Sequence, residues 1–255
     1  MIEFGNLTKC DLHTHTCFCD GKDTPEEMVL SAIEKGLETI GIATHSYTEN
    51  GSSYCIKKER VKEFQLHVNA LKIKYADKIR VLCGVEQEYF SNCSLDGYDY
   101  SIGSAHYFYV NGKYYHIDMS KDYLIDCVNK EFGGDIYSAC EDYYEKVGNV
   151  IEKTGADIIG QFDLINKFNE NNALFDVNHP RYVNAYKKAL YKLLKTGKPI
   201  ELNTGAISRG YRTEPYPHTD IIKIIKENGG KLILSSDSHN ANNIAFQFDV
   251  WQKLL

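Results

Sequence analysis

Nothing in the 255 residues approaches the run of ~18 apolar residues that a membrane-spanning helix needs, and no membrane partner is expected. The opening Met1-Ile2-Glu3-Phe4-Gly5 is neither basic nor a continuous apolar stretch, so it does not read as a secretory signal. With only five prolines, no Pro/Gly/Ser-rich linker divides the chain. There is also no internal repeat and no low-complexity tract. Positive charge is in deficit: 29 Lys and Arg stand against 35 Asp and Glu, for a net charge of −6. Nucleic-acid binding over a broad surface needs a basic face, so that class is not expected, whereas a small phosphorylated substrate stays open. The eight cysteines are scattered, and only Cys17 and Cys19 are close. One C-x-C without a second pair is a weak zinc signal, and the set reads as reduced thiols of a cytoplasmic protein.

What is present is an ordinary globular composition, 43% hydrophobic and 25% charged, in a length that α/β barrels of about 250 residues fill as one domain. Short apolar runs alternate with helical patterns. Strands are expected at 8–13, 39–43, 79–85, 100–104, 156–160, 199–202 and 231–235. Helices are expected from Pro25 to Gly36 and at 57–75, about 120–132, 136–154, 179–195 and about 217–228. Thr24-Pro25-Glu26-Glu27 is a capping box with proline at the first helical position. Asn111-Gly112, between two aromatic runs, predicts a hairpin, because both residues accept the positive φ of a type I′ turn. Seven strands, nearly all separated by helices, imply parallel pairing. An open doubly wound sheet and a closed barrel both fit that order.

The polar residues just past these strands carry the functional signal. In chain order they are Asp11, His13, His15 and Asp20, then His45, Glu86 and His106. Gln161 and Asp163 follow, then Asn203, and finally Asp237 and His239. In a parallel barrel all such ends open onto one face, where sites are built. His13 and His15, two apart on an extended strand, point to the same side. Imidazoles converging with carboxylates make a site for divalent Zn, Fe or Mn. Asp237-x-His239 repeats the device on the last strand, next to the first if the barrel closes. Five histidines with Asp20, Glu86 and Asp237 exceed one tetrahedral ion and suggest two or three, some sharing a bridging carboxylate. His67, His116, His179 and His218 lie mid-helix, in the hairpin or at helix starts, and are not assigned to metal.

The pattern Asp11-x-His13-x-His15 with Asp20-Gly21, His45, Glu86, Gly103-Ser-x-His106 and Asp237-Ser-His239 resembles the polymerase-and-histidinol-phosphatase (PHP) family. Ile159-Gly-Gln-Phe-Asp163 and Glu201-Leu-Asn-Thr-Gly205, with Arg209, resemble its histidinol-phosphatase branch. The resemblance implies a distorted (β/α)7 barrel, with residues 1–255 as one metal-dependent phosphoesterase domain. It implies a first metal on His13, His15, Glu86 and Asp237, a second on Glu86, His106 and residue 161, and a third on Asp20, His45 and His239. Gln161 departs from the histidine common in relatives, and an amide binds metal more weakly.

The implied activity is hydrolysis of L-histidinol phosphate, a step of histidine biosynthesis, with a metal-bridging hydroxide as nucleophile. Arg209 and Asp237 are the residues expected to serve catalysis. Arg209 is the first choice for the phosphate and Lys167 the second. Asp163 is a candidate either for the substrate amine or for supporting a ligand. The alternatives are a phosphoesterase of another small ester, a nucleotide or a DNA 3′ end, and a non-catalytic metal-stabilised module.

Overall fold

The computed structural model describes residues 6–48 and 53–255; the Met1 to Gly5 stretch read for a signal lies outside the described residues. The chain runs β1 (Cys10–Thr14), α1 (Pro25–Glu34), β2 (Thr39–His45), α2 (Val61–Lys74), β3 (Arg80–Glu88), β4 (Tyr100–Ser104), β5 (Tyr107–Val110) and β6 (Lys113–His116). It continues α3 (Lys121–Glu131), α4 (Ile136–Thr154), β7 (Ile158–Ile159), α5 (Pro180–Leu194), β8 (Ile200–Asn203), α6 (Gly205–Ser208), α7 (Thr219–Glu227), β9 (Leu232–Ser235) and α8 (Phe248–Trp251). Seven strands form one parallel sheet in the order β1-β2-β3-β4-β7-β8-β9. The sheet curls until its two edges meet: Thr14 bridges Ser238, His15 N donates to Ser238 O at 2.7 Å, and Ser238 N donates to His13 O. A barrel, rather than an open sheet, is therefore the architecture, as the (β/α)7 reading requires.

Local chemistry explains the elements. Thr24 caps α1 through its side chain while Glu27 reaches back to the Thr24 N–H, the reciprocal pair of a capping box. Asn111 and Gly112 take φ of 51° and 77°, turning β5 into β6. This hairpin forms its own two-stranded sheet. Two expected helices begin later than the sequence pattern suggested. A 3₁₀ turn over Lys58–Arg60 precedes α2, and His218 caps α7 from outside it. The strand expected at 156–160 shrinks to Ile158–Ile159, because Gly160 packs tightly on Ser104 and Ile102 and Gln161 turns away.

The barrel interior is a plug of Cys10, Leu12, Ala43, Leu82, Tyr100, Ile102, Ile158 and Ile233, and the helices cover the outside through two larger clusters. Tyr100 fills the interior because Gly41 and Gly84 lack side chains; a Cβ on either would overlap its ring or hydroxyl. Its hydroxyl donates to the Leu12 carbonyl. This apolar plug shuts one end of the barrel and forms the floor beneath the polar residues at the strands' C-terminal ends.

Candidate metal centre

Leu12 belongs to the plug, yet the next residue is the first polar ligand candidate. Simple strand alternation would not send Leu12, His13 and His15 to these places. The register of β1 against β2 shifts between Asp11 and Thr14, and such an irregularity re-aims the residues that follow it. Asp11 braces it: one carboxylate oxygen accepts from the N–H groups of His13 and Ser236, the other from Ser236 Oγ and Ala245 N. His13 and His15 then stand with ring centroids 5.0 Å apart, both fully buried.

Glu86, on β3, stands at the centre. Its Oε2 lies 3.3 Å from His13 Nε2, 3.6 Å from His15 Nε2 and 2.8 Å from His45 Nδ1, and its Oε1 lies 3.4 Å from His106 Nε2. Asp237 Oδ1 is 3.8 Å from His13 Nε2 and 3.5 Å from His15 Nε2. Asp20 faces His45 at 3.4 Å and His239 at 3.3 Å. Ligand atoms about 2.1 Å from one tetrahedral ion stand about 3.4 Å from each other, so these separations match metal ligands better than hydrogen bonds, except the 2.8 Å contact of His45 Nδ1 with Glu86, which is an ion-pair distance.

Two groups of side chains are compact enough to hold a metal ion: His15, Asp20, His45 and His239, and His13, His15 and Glu86. The decisive observation is what these atoms lack. His13 Nε2, His15 Nε2, both Glu86 oxygens, Gln161 Oε1 and Asp237 Oδ1 are buried without a hydrogen-bond partner. Native proteins keep such atoms few, and these six belong to residues brought together at the barrel mouth. The donor set of imidazole, carboxylate and amide suits a divalent cation such as Zn, Fe or Mn.

The opposite ring nitrogens are held by carboxylates that the sequence reading did not single out. His13 Nδ1 meets Glu201 Oε1 at 2.7 Å and His106 Nδ1 meets Glu88 Oε2 at 2.8 Å. Such partners fix which nitrogen faces a metal and raise its basicity. Glu88 was legible in principle, being two residues beyond Glu86 on the same strand face. Glu201 was legible as a charge inside the apolar strand Ile200-Glu201-Leu202.

Electrostatics fit the same picture. Burial, with His45 and His239 alongside, pushes His15 down to about 3, so it is neutral and its lone pair is free to coordinate. Burial opposes protonation of His106 too, but Glu86 and Glu88 outweigh it and carry the imidazole up to about 10. His13 moves upward for the same reason, through Glu201, Glu86 and Asp237. Burial disfavours ionised Glu86 and Asp237, yet the imidazoles around Glu86, and Arg209 and His13 beside Asp237, hold both carboxyls well below the usual range. A cation held by these carboxylates would compete with the protons that they favour on His13 and His106.

Gln161 and Asp237 both leave their strands in the left-handed region, at φ 45° and 49°. For non-glycine residues that conformation is uncommon and costs roughly 1–3 kcal/mol. Here it brings the two side chains together: Gln161 Nε2 donates to Asp237 Oδ2 at 2.9 Å. All nine residues expected to ligate metal thus stand at the barrel mouth, Gln161 with its neutral amide oxygen unpartnered.

Of the three residues expected to meet substrate, two line the cavity over the cluster, which holds about 310 Å³. Arg209 extends from the end of α6 and donates to Asp237 Oδ2 at 3.0 Å and to the Asp237 carbonyl at 2.9 Å. Lys167 reaches the cavity from the turn after β7 and pairs with Asp118. The third, Asp163, does not line that cavity. It is fully buried, and its oxygens accept from the hydroxyls of Tyr144 and Tyr182, the Asn166 amide and the His218 N–H. The 3₁₀ turn Leu164–Asn166 folds it under α4 and α5, away from the cavity.

The family model described as PHP domain matches residues 11–205. A relative from Schizosaccharomyces pombe, named a probable histidinol-phosphatase, is 25% identical over 95% of this chain and 84% of its own. A Listeria monocytogenes protein, provisionally named histidinol phosphatase, has a solved structure that superposes with a TM-score of 0.83. It is 23% identical over 95% of this chain and all of its own. The histidinol phosphate phosphatase of Lactococcus lactis, solved in complex with zinc, L-histidinol and phosphate, aligns with a TM-score of 0.63. Its identity is 19%, over 97% of this chain and 92% of its own.

Proposed function

The chain belongs to the PHP domain family, and from that premise we propose that it is a metal-dependent phosphomonoesterase that hydrolyses L-histidinol phosphate to L-histidinol and phosphate. The single observation that carries this reading is the knot of buried, unpartnered ligand atoms at the barrel mouth, beneath a cavity edged by two cations. The substrate follows from the relatives: histidinol-phosphatase is the name borne by a protein aligned over nearly the whole chain, and a structural neighbour holds zinc, L-histidinol and phosphate. The domain is read as residues 1–255, since β9, beyond the family match, closes on β1 and brings Asp237 and His239. No helix among the described residues is long and apolar enough to cross a membrane, and we assign the enzyme to the cytoplasm and to histidine biosynthesis.

We assign three positions for divalent ions: one on His13, His15, Glu86 and Asp237; one on Glu86, His106 and Gln161; one on Asp20, His45 and His239. When bound, such ions supply an acidified water and polarise the phosphoryl oxygens. The chain's own groups orient and neutralise. Glu201 and Glu88 hold His13 and His106 by their Nδ1 atoms, leaving Nε2 of each for the metal side. Arg209, fixed by Asp237, offers its remaining N–H groups to the phosphate, and Lys167 adds a second positive charge. The cavity, about 310 Å³, is of a size for one small ester.

The test is a turnover assay of the purified protein on L-histidinol phosphate beside glycerol phosphate, a nucleoside monophosphate and a DNA 3′-phosphate. The expected result is a kcat/KM for L-histidinol phosphate at least about tenfold above every other ester, the size of a discrimination built on one good polar contact. A higher value for the nucleotide or the DNA end would overturn the substrate.

Gln161 makes a second expectation. Its amide oxygen is a neutral ligand beside Glu86 and His106, so that ion should be the most easily removed. Gln161→His should tighten it, because imidazole suits these metals better. In a chelator titration the wild type should release part of its metal at a concentration where Gln161→His still holds all of it. Identical release curves would withdraw Gln161 as a ligand.

A further inference from the structure

Resting on the phosphomonoesterase reading, we propose that Asp118 is the residue that reads the substrate's amine, and that the Asp118–Lys167 pair selects phosphomonoesters carrying a protonated amino group. Asp118 follows the hairpin, just beyond β6, and lines the same cavity as the metal ligands. Among the other lining groups, the acids are Asp20 and Asp237, and both are engaged with histidines of the cluster or with Arg209. Asp118 is the lining carboxylate that touches none of the metal-binding side chains.

Its surroundings show how it is held. Lys167 Nζ donates to Asp118 Oδ2 at 3.0 Å and to its carbonyl at 2.8 Å. Among the described residues nothing donates to Oδ1, and the side chain keeps 26% of its surface exposed. Ile117, the preceding residue, is buried, and its N–H donates to the His106 carbonyl, which fixes the position of Asp118 relative to the cluster. Lys167 is steadied by the rings of Phe168 and Tyr211 at 5.5 and 5.1 Å.

The pair is a fixed dipole inside a cavity, with its negative end accessible. A substrate with a phosphate and an ammonium is the opposite dipole. Its phosphate lies toward the metals, Arg209 and Lys167, and its ammonium meets Asp118 Oδ1 without displacing Lys167 from the backbone carbonyl. An amine-free ester satisfies only the phosphate end and leaves Asp118 Oδ1 facing water or apolar carbon. His116 and Tyr54, whose rings pack at 5.7 Å, stand on the same wall and supply the flat surface beside the carboxylate.

The experiment compares the wild type with Asp118→Asn and Asp118→Glu in two measurements. The first is kcat/KM on L-histidinol phosphate and on p-nitrophenyl phosphate, an amine-free ester. The second is calorimetric binding of L-histidinol alone, which needs no turnover. Asp118→Asn should lower the ratio of the two kcat/KM values by about tenfold to a hundredfold, the loss of one charge-assisted contact. The change should fall mainly in KM, with binding of L-histidinol weakened by a similar factor. Asp118→Glu should recover part of both. An equal fall on the two esters, or unchanged binding of L-histidinol, overturns the proposal and leaves Asp118 as a strut for Lys167. A wild type that binds L-histidinol through Asp118 but hydrolyses neither ester would instead overturn the phosphatase reading while supporting the amine contact.

Discussion

Glu86→Gln should cut turnover by roughly a thousandfold or more and strip much of the metal, whereas Arg209→Ala should cut kcat/KM by roughly a hundredfold with metal content unchanged. Glutamine keeps the shape of Glu86, so the barrel should still fold, with a circular dichroism spectrum like that of the wild type. What goes is the negative charge that four histidines face, His13, His15 and His45 on one oxygen and His106 on the other. Two ions share this carboxylate in the proposed arrangement, so neutralising it weakens both.

Arg209 acts from the other side. Its guanidinium binds Asp237 through Oδ2 and the main-chain carbonyl, while Oδ1, the atom nearest His13 and His15, has no hydrogen bond. Gln161 still holds Oδ2 once the arginine is gone. Loss of Arg209 therefore removes a charge-assisted contact to phosphate, a matter of a few kcal/mol, without dismantling the cluster. Elemental analysis with steady-state kinetics on both variants checks the contrast. Wild-type kinetics in Arg209→Ala would withdraw it as a phosphate contact and leave it a support for Asp237; full metal and activity in Glu86→Gln would withdraw Glu86 as a ligand.

Most of this site could be read from the order of residues because a parallel barrel converts sequence into position. Each strand end delivers its next polar residue to one rim, so His13, His45, Glu86, His106, Gln161 and Asp237 could be placed together before any contact was known. What was not legible depends on departures from regular strands. The register shift braced by Asp11 decides that Leu12 enters the plug while His13 enters the site. The left-handed exits at Gln161 and Asp237 decide that these two side chains meet.

Asp163 shows the limit from the other direction. It stands at a strand end as the ligands do, but the turn after Gln161 buries it against Tyr144 and Tyr182. No periodicity distinguishes those outcomes. Asp118 escaped attention for the converse reason: it follows a hairpin rather than a barrel strand, and only the folded chain brings it over the rim. The choice between open sheet and barrel likewise rested on contacts far apart in sequence, those of Ser238 with His13, Thr14 and His15.

In the proposed mechanism, ions held by these histidines and carboxylates are required for phosphomonoester hydrolysis. The decisive experiment removes them and counts them back. The protein is stripped with a chelator, dialysed, and titrated with Zn, Mn or Fe(II) while bound metal and turnover of L-histidinol phosphate are recorded on the same samples. The stripped protein should have negligible activity, and recovery should follow occupancy up to about two to three ions per chain, as expected for this donor set. A stripped preparation that contains no metal and hydrolyses the ester at the full rate would overturn the metal requirement.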